Sequence, residues 1–259
     1  MFTQRVTMPN ADLRDPKLSI SDDNTLLLLA YARYADASNR TQSTENLTWI
    51  SSTGDSWSSP TSLGLEFWWL WRVRYALEGP RSQAFGFAYN RNANRIDFFQ
   101  GNPQRHMQCV KQGALSLTKH RLGYPNESDL VIESDGNINA LVRRDADSFS
   151  AQFGCSIPPY TKWHWHDLGE YIGGPVMLRL DRERYLVAGR AWTGKKMVTR
   201  IWTLSTLSAQ LTELDTLPSA GDNSYPGIAV VDDTLHVSYY SSHLDQRSQI
   251  YLASYHISA

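Results

Sequence analysis

Short strand-like segments recur along the whole chain, and their spacing constrains the fold more than any other feature. Each unit combines an apolar segment, an acidic tight turn and a longer apolar segment, a pattern typical of a β-hairpin. The longer segments include residues 25–31, 137–142, 185–189 and 234–240. Equivalent first strands lie roughly 45 to 55 residues apart, a period typical of propeller blades rather than of sandwiches.

Five such units cover residues 17–63, 66–115, 124–169, 170–218 and 221–258. We therefore predict an all-β fold, a β-propeller of five four-stranded blades that forms a single domain over residues 1–259. The fifth unit ends after its third strand, so we expect residues 2–8, which alternate like a strand, to close the last blade and remove its exposed edge. A six-bladed ring is the alternative. No segment has a helical period of any length, which disfavours an α/β fold.

Composition and charge exclude several classes of protein. The chain has 9 Trp, 13 Tyr and 8 Phe, ample aromatic material for a packed core. A formal net charge of −1, from 25 basic and 26 acidic residues, argues against a nucleic-acid partner. The longest apolar run, residues 26–31, is far shorter than the roughly 20 residues of a membrane helix, so we expect no membrane partner.

Metal sites and targeting signals are not evident in the sequence. The two cysteines, Cys109 and Cys155, are too few for a disulfide framework or a CxxC metal site. His164 and His166 share a strand face but lack an evident third ligand, so we expect no metal and no cofactor. The first five residues do not resemble a secretion signal, which favours a cytoplasmic location, with a start further upstream left open.

Polar motifs stand just before the first strand of several units. In a propeller these strands line the central channel, and the loops that lead into them gather on one face. The motifs contain Arg14 with Asp15, Trp71 with Arg72, Asn126 with Glu127, Gly173 with Gly174, and Asp222 with Tyr225. Their recurrence predicts that separate blades aim polar groups at one funnel.

Several segments together resemble a bacterial family of sialidase-like glycosidase propellers. They are residues 12–18, 69–73, 124–128, 141–145, 158–161 with Trp163 and Trp165, 172–175, 221–227 and 237–243. The resemblance has two departures. The family has a further blade before the Arg14-Asp15 motif, with a substrate-clamping arginine that is missing here. The Asp-box turn of the family survives only as residues 51–57, with its aspartate displaced.

The resemblance implies a glycosidase of the exo-sialidase type that acts on a terminal sugar, with an acidic sugar as one option. Asp15 would be the acid/base, and Glu127 would take a proton from Tyr225, whose phenolate would attack the anomeric carbon. Arginines suit an acidic sugar because a guanidinium binds a carboxylate through two hydrogen bonds. The candidate substrate-binding residues are Arg14, Trp69, Trp71, Arg72, Tyr124, Asn126, Arg144, Arg190 and Asp222.

Structural roles are also open for several of these residues. Arg14 and Asp15 could form an ion pair that ties blades together, and Glu127 could cap its own loop by accepting backbone N–H groups. Trp69 and Trp71 could belong to the core between blades rather than to a sugar platform.

Two further alternatives remain. Arg143 and Arg144 are adjacent on a strand and must point to opposite faces, so at most one of them can serve the channel. Because a fold does not determine a function, the chain could also be a non-catalytic carbohydrate-binding propeller or a protein-interaction scaffold.

Overall fold

The chain is an all-β protein and a five-bladed β-propeller, as the sequence predicts, rather than a six-bladed one. A computed structural model describes residues 4–76 and 83–257. Within these residues each of the first four blades has four antiparallel strands and the fifth has three. No helix in the described part of the chain is long and apolar enough to cross a membrane.

The first two blades follow each other along the chain in simple up-and-down order. The first blade contains β1 (Asp12–Ile20), β2 (Leu26–Ala35), β3 (Thr41–Ser51) and β4 (Thr61–Ser62). The second contains β5 (Trp69–Tyr75), β6 (Ala84–Asn90), β7 (Arg95–Asn102) and β8 (His106–Ser116), and the short helix α1 (Leu117–His120) follows it.

The remaining three blades repeat the same order. The third contains β9 (Pro125–Ile132), β10 (Ile138–Arg144), β11 (Gln152–Ser156) and β12 (His164–Asp167). The fourth contains β13 (Gly173–Arg179), β14 (Arg184–Trp192), β15 (Met197–Ser205) and β16 (Leu211–Leu217). The fifth contains β17 (Ser224–Val231), β18 (Thr234–Ser241) and β19 (Gln249–His256).

The predicted N-terminal strand over residues 2–8 is not found in its described part. Residues 4–8 form no strand, while Phe2 and Thr3 lie outside the described residues. Val6 and Met8 instead pack against the core of the first blade, where Leu47 and Trp49 are buried. Burying the apolar surface of Val6 and Met8 against this core is more favourable in free energy than pairing residues 4–8 with a solvent-exposed strand edge, which explains the difference.

The chain divides into two compact units. The first unit holds the first two blades together with residues 132–137 and 157–162, and the second unit holds the remainder of the third blade with the fourth and fifth. In the first unit, Leu27 and Leu29 of β2 share a buried cluster with Val73 of β5. In the second unit, one cluster includes Phe153 and Trp202 and another includes Val176 and Val237. Apolar side chains thus fill the space between successive blades of each unit.

Buried polar side chains also connect neighbouring blades. Asn46 of β3 is fully buried, donates to the carbonyl of Trp68 at 2.8 Å and accepts the N–H of Leu70 at 2.9 Å. In the second unit, Asp129 of β9 accepts the N–H of Met177 in β13 at 2.9 Å. Each bond satisfies a backbone group that would otherwise be buried without a partner.

We expect Asn46→Ala to destabilise the protein by about 2 to 3 kcal/mol, because it leaves the buried N–H of Leu70 unsatisfied. Urea unfolding followed by fluorescence measures the change. The matched control is Asn92→Ala in an exposed turn, which should cost less than about 0.5 kcal/mol. Equal midpoints for the two variants would contradict this account of how the blades are joined.

Candidate functional site

The first strands of the blades share a backbone irregularity that positions the candidate site residues. In β1, β13 and β17 one extra residue interrupts the pairing, so that each strand contains a β-bulge. The residues at these bulges, Asp15, Gly174 and Tyr225, have φ angles of 48°, 57° and 49°. Tyr124, just before β9, has a φ of 49°.

Each of these four residues precedes a proline: Pro16, Pro125, Pro175 or Pro226. A positive φ costs a non-glycine residue on the order of 1–3 kcal/mol and is concentrated at functional sites. Bulges re-aim a side chain out of the strand's ordinary alternation. Asp15 and Tyr225, which the sequence analysis proposes as catalytic residues, thus both have a strained backbone.

Three side chains of the second unit, Glu127, Arg143 and Tyr225, make direct contact, and we call them the Tyr225 cluster. The Tyr225 hydroxyl donates to Glu127 Oε1 at 2.7 Å. Arg143 Nη1 lies 2.6 Å from Glu127 Oε2 and 3.2 Å from the Tyr225 hydroxyl. Glu127 and Tyr225, which are 98 positions apart in the sequence, are thus in direct contact.

The Glu127 carboxylate is buried, and its partners compensate its charge. Only 5% of the residue is exposed. Besides Tyr225 and Arg143, Glu127 Oε2 accepts the backbone N–H of Gly174 at 2.7 Å. Charge-assisted hydrogen bonds of this kind are what allow a carboxylate to remain buried. The alternative that Glu127 caps its own loop does not describe these contacts, since Gly174 and Tyr225 belong to the fourth and fifth blades and Arg143 to the neighbouring strand β10.

The electrostatics of the cluster keep Tyr225 protonated. Burial raises the pKa of Tyr225, and the adjacent Glu127 charge raises it further, while Arg143 and Arg190 act in the opposite direction. A phenolate is therefore not present beforehand and can form only if the proton moves to Glu127. If it does, Arg143 is close enough to the phenol oxygen to stabilise the charge.

Arg190 holds Tyr225 from its other side. The guanidinium of Arg190 lies 5.0 Å from the ring centroid of Tyr225, within the range of a cation–π contact. It also donates to Asp222 at 2.6 Å and to the carbonyl of Asn223 at 2.8 Å. The loop that leads into β17 is thereby tied to β14. The Asp222 side chain is 72% exposed, so its contact with Arg190 is open to solvent.

Gly174 is required where the fourth blade meets Tyr225. A Cβ atom on Gly174 would lie 2.8 Å from Tyr225 Cδ1, closer than real Cβ atoms come, and 3.2 Å from Tyr225 Cα, which is also tight. The residue occupies the same bulge position that Asp15 and Tyr225 occupy in their own strands. A side chain is present at that position in β1 and β17, whereas in β13 only glycine leaves room for the neighbouring tyrosine.

Arg143, rather than the predicted Arg144, is the arginine of the cluster. Arg144 points to the opposite face of β10, where its side chain is fully buried and pairs with Asp147 at 2.6 Å. It also donates to the carbonyls of Ala146 and Ser150 and so supports the loop after β10. Strand alternation explains why only one of the two adjacent arginines reaches Glu127.

Asn126 and Tyr124 differ in how accessible they are. Asn126 is buried and donates to the Tyr124 carbonyl at 2.9 Å and to Asp145 at 3.0 Å. Asp145 in turn accepts from Arg143 at 2.9 Å. Asn126 therefore positions the cluster through Asp145 rather than presenting its amide to a ligand. The Tyr124 ring is 47% exposed and is accessible to a ligand.

Sequence reasoning missed Asp145 and Tyr171 in the second unit. Asp145 joins Asn126 to Arg143, and the Tyr171 ring centroid lies 5.4 Å from the Arg143 guanidinium. Burial raises the pKa of Tyr171, so its hydroxyl stays neutral beside the arginine. The signal for Asp145 was its place two residues after Arg143, directly after the end of β10. No sequence pattern indicated Tyr171.

The first unit contains the other predicted residues. Arg14 pairs with Asp12 at 2.6 Å, so the alternative of an Arg14–Asp15 ion pair does not describe this strand. Asp15 is half-buried, and its carbonyl accepts a hydrogen bond from Lys17 at 3.2 Å. Its left-handed backbone is the feature that it shares with Tyr225.

Trp69, Trp71 and Arg72 lie mostly inside the first unit. The ring of Trp69 stacks on Tyr31 at a centroid distance of 4.0 Å. Trp71 is only 2% exposed, and the Lys17 ammonium lies 4.3 Å from its ring centroid. Arg72 is also buried. The structure therefore places Trp71 in the core, which was the alternative to a sugar platform.

No side chains of the described residues form a group of three or more His, Cys, Asp or Glu that could hold a metal ion. His164 and His166 lie on β12 without a third ligand of these types. The polar character of the candidate site comes instead from the paired carboxylates and guanidiniums around Tyr225.

The fold is similar to that of solved structures that include glycoside hydrolases. A protein of unknown function from Dyadobacter fermentans has a TM-score of 0.75 and 16% identity over 98% of this chain and 79% of its own. An endo-arabinase from Bacteroides thetaiotaomicron has a TM-score of 0.60 and 12% identity over 95% of each chain. A β-xylosidase/α-arabinofuranosidase from a compost microbial metagenome has a TM-score of 0.59 and 10% identity over 95% of this chain and 92% of its own.

These similarities establish the fold and not the activity, because all three identities are low. None of the three is named as a sialidase. The sequence matches no protein-family model and no curated protein. Any activity of this chain must therefore be argued from its own site.

We expect Gly174→Ala to separate Tyr225 from Glu127, because the added methyl group would overlap the tyrosine ring. The control is Gly194→Ala, which has a φ of 84° but no atom within 4 Å of its Cβ position. Both variants should lose about 1 to 2 kcal/mol of stability to backbone strain. Crystal structures of the two variants should show a displaced Tyr225 only in the first, and an unmoved Tyr225–Glu127 contact there would refute the steric argument.

Proposed function

We propose that the protein is a glycoside hydrolase in which Tyr225 is the nucleophile and Glu127 is its base. The contact that supports this most is the 2.7 Å hydrogen bond between them, with Arg143 bonded to both. Most glycosidases use two carboxylates, and a tyrosine nucleophile is the exception found in sialidases. Sialidase-type chemistry on a terminal sugar is therefore the finer form of the proposal.

In the first step, Glu127 Oε1 takes the phenol proton while the Tyr225 oxygen bonds to the anomeric carbon and the glycosidic C–O bond breaks. The leaving oxygen must receive a proton, and the resemblance alone implies Asp15 for this role. Arg143 stabilises the charge that develops on the phenol oxygen.

In the second step, water attacks the anomeric carbon and gives a proton to Asp15. The bond between the sugar and Tyr225 breaks, and the tyrosine oxygen recovers its proton from Glu127. Two displacements at one carbon give overall retention of configuration. No cofactor is needed, since every proton has a donor and an acceptor in the side chains named.

An acidic sugar is accommodated at Arg190. Its guanidinium already binds the Asp222 carboxylate, and that carboxylate belongs to an exposed side chain. A substrate carboxylate could replace Asp222 on the same guanidinium and accept from the Tyr240 hydroxyl, which donates to Asp222 at 2.9 Å, because the exposed Asp222 side chain regains hydrogen bonds from water. Arg143 is less available, since Glu127 and Asp145 both bind it.

A non-catalytic carbohydrate-binding propeller is the second candidate. It is favoured by the fact that both arginines beside Tyr225 already have carboxylate partners in this chain. The cluster is therefore electrostatically balanced without a substrate. Binding without turnover would identify this alternative.

We expect the wild type to hydrolyse at least one member of a panel of chromogenic glycosides of arabinose, xylose, galactose, glucuronate and N-acetylneuraminate. Tyr225→Phe and Glu127→Gln should lower kcat by about 10²- to 10⁴-fold, because the nucleophile or its base is lost. Steady-state kinetics measure the change.

The matched control is Tyr255→Phe, whose hydroxyl donates to Asp215 at 2.7 Å on the outer strands of the second unit. This variant loses the same kind of hydrogen bond away from the Tyr225 cluster and should keep its kcat. Turnover by Glu127→Gln equal to that of the wild type would remove Glu127 from the mechanism.

A further inference from the structure

Trp192 is a large aromatic residue that remains exposed beside the candidate site. It is the last residue of β14 and is 49% exposed. Alternation along the strand puts Trp192 on the same face as Arg190, Ala188 and Leu186. Leu186 and Ala188 are buried in the cluster shared with the fifth blade, and Arg190 lies over the ring of Tyr225. This row of side chains therefore leads from the core, past Tyr225, to the surface.

The backbone that carries Trp192 is held in place relative to Tyr225. Trp192 pairs with Met197 across a tight hairpin, in which Thr193 donates its N–H to the carbonyl of Lys196 at 3.1 Å. Asn223, two residues before Tyr225, donates to the Met197 carbonyl at 3.1 Å. The same Asn223 accepts from Arg190 through its own carbonyl. These bonds fix the hairpin to the loop that carries the proposed nucleophile.

The chemistry of an exposed tryptophan suits a sugar ring. Its flat apolar surface is large, and aromatic contacts contribute beyond the area that they bury. A pre-positioned ring loses little conformational freedom on binding, which favours affinity. Arg190 and Trp192 are two strand residues apart, about 6.8 Å along the backbone, a span that one further sugar ring can bridge.

We propose that Trp192 is a specificity-determining residue on which the second sugar of an oligosaccharide stacks while its terminal sugar lies at Tyr225. This inference rests on the proposed function for the position of the terminal sugar. It goes further in assigning the substrate class: a chain of at least two sugars rather than a single sugar with a small leaving group.

The first experiment measures binding without catalysis. Xylotriose, arabinotriose and sialyllactose are titrated by calorimetry into Tyr225→Phe, and the sugar that binds is then titrated into Tyr225→Phe/Trp192→Ala. We expect about tenfold weaker binding in the double variant, and recovery of most of the affinity when Trp192 is replaced by phenylalanine. The control is Phe67→Ala on the same background, which removes an aromatic residue that is 48% exposed in the first unit.

The second experiment uses the catalytically intact protein. Trp192→Ala should lower kcat/KM for the oligosaccharide about tenfold, mainly through a higher KM, and leave the glycosyl fluoride of the same terminal sugar unchanged. The fluoride leaving group is too small to reach the tryptophan. A loss on the oligosaccharide alone therefore indicates lost stacking, whereas an equal loss on both substrates indicates damage to the Tyr225 cluster.

The outcomes distinguish this inference from the proposed function. One outcome is weaker oligosaccharide binding in Trp192→Ala but not in Phe67→Ala, together with no turnover by the wild type. It supports the stacking role of Trp192 and refutes hydrolysis. Two other outcomes overturn the stacking role of Trp192 and leave the proposed hydrolysis standing. They are wild-type turnover with unchanged affinity in Trp192→Ala, and an equal loss of kcat/KM on the fluoride and the oligosaccharide. Failure of all three oligosaccharides to bind overturns the stacking role as well.

Discussion

The candidate site depends on the burial of one carboxylate. Glu127 leaves water only because a tyrosine O–H, a backbone N–H and a guanidinium converge on its two oxygens. These partners come from the three blades of the second unit, so the carboxylate also joins those blades. If any partner were removed, the remaining charge would be buried without full compensation. Structure and proposed chemistry therefore rest on the same contacts, which also give Tyr225 its proton acceptor.

The backbone geometry makes this convergence possible. A regular strand would alternate its side chains between the two blade faces, but the bulges in β13 and β17 direct Gly174 and Tyr225 toward Glu127 instead. The left-handed backbone at Asp15 and Tyr225 costs free energy, and the packing of the surrounding blades compensates this cost. Gly174 adds a steric condition, because only the absence of a side chain leaves room for the Tyr225 ring. A residue with a left-handed backbone before a proline thus recurs in four of the five blades, and its side chain differs in each.

The sequence was sufficient for the fold and for part of the site. The period of the hairpins predicted five blades, and the resemblance paired Glu127 with Tyr225. It selected Arg144, whereas Arg143 is the arginine that contacts Glu127, because alternation fixes only that the two side chains diverge and not which face holds the carboxylate. Residues 2–8 alternate like a strand, yet Val6 and Met8 pack on the first blade, since burial outweighs a local pattern. The shared position of Asp15, Tyr124, Gly174 and Tyr225 before prolines was visible in the sequence, but its meaning depended on φ angles that only the structure gives.

The central claim is that Tyr225 forms a covalent bond to the sugar, and trapping that bond tests it most directly. The protein is incubated with the fluorinated glycosyl fluoride of the sugar that it hydrolyses, digested, and analysed by peptide mass spectrometry. The account predicts one added sugar on the peptide that contains Tyr225, and no adduct in Glu127→Gln, where the base is missing. A sugar attached to a carboxylate, or turnover without any covalent adduct, would contradict it.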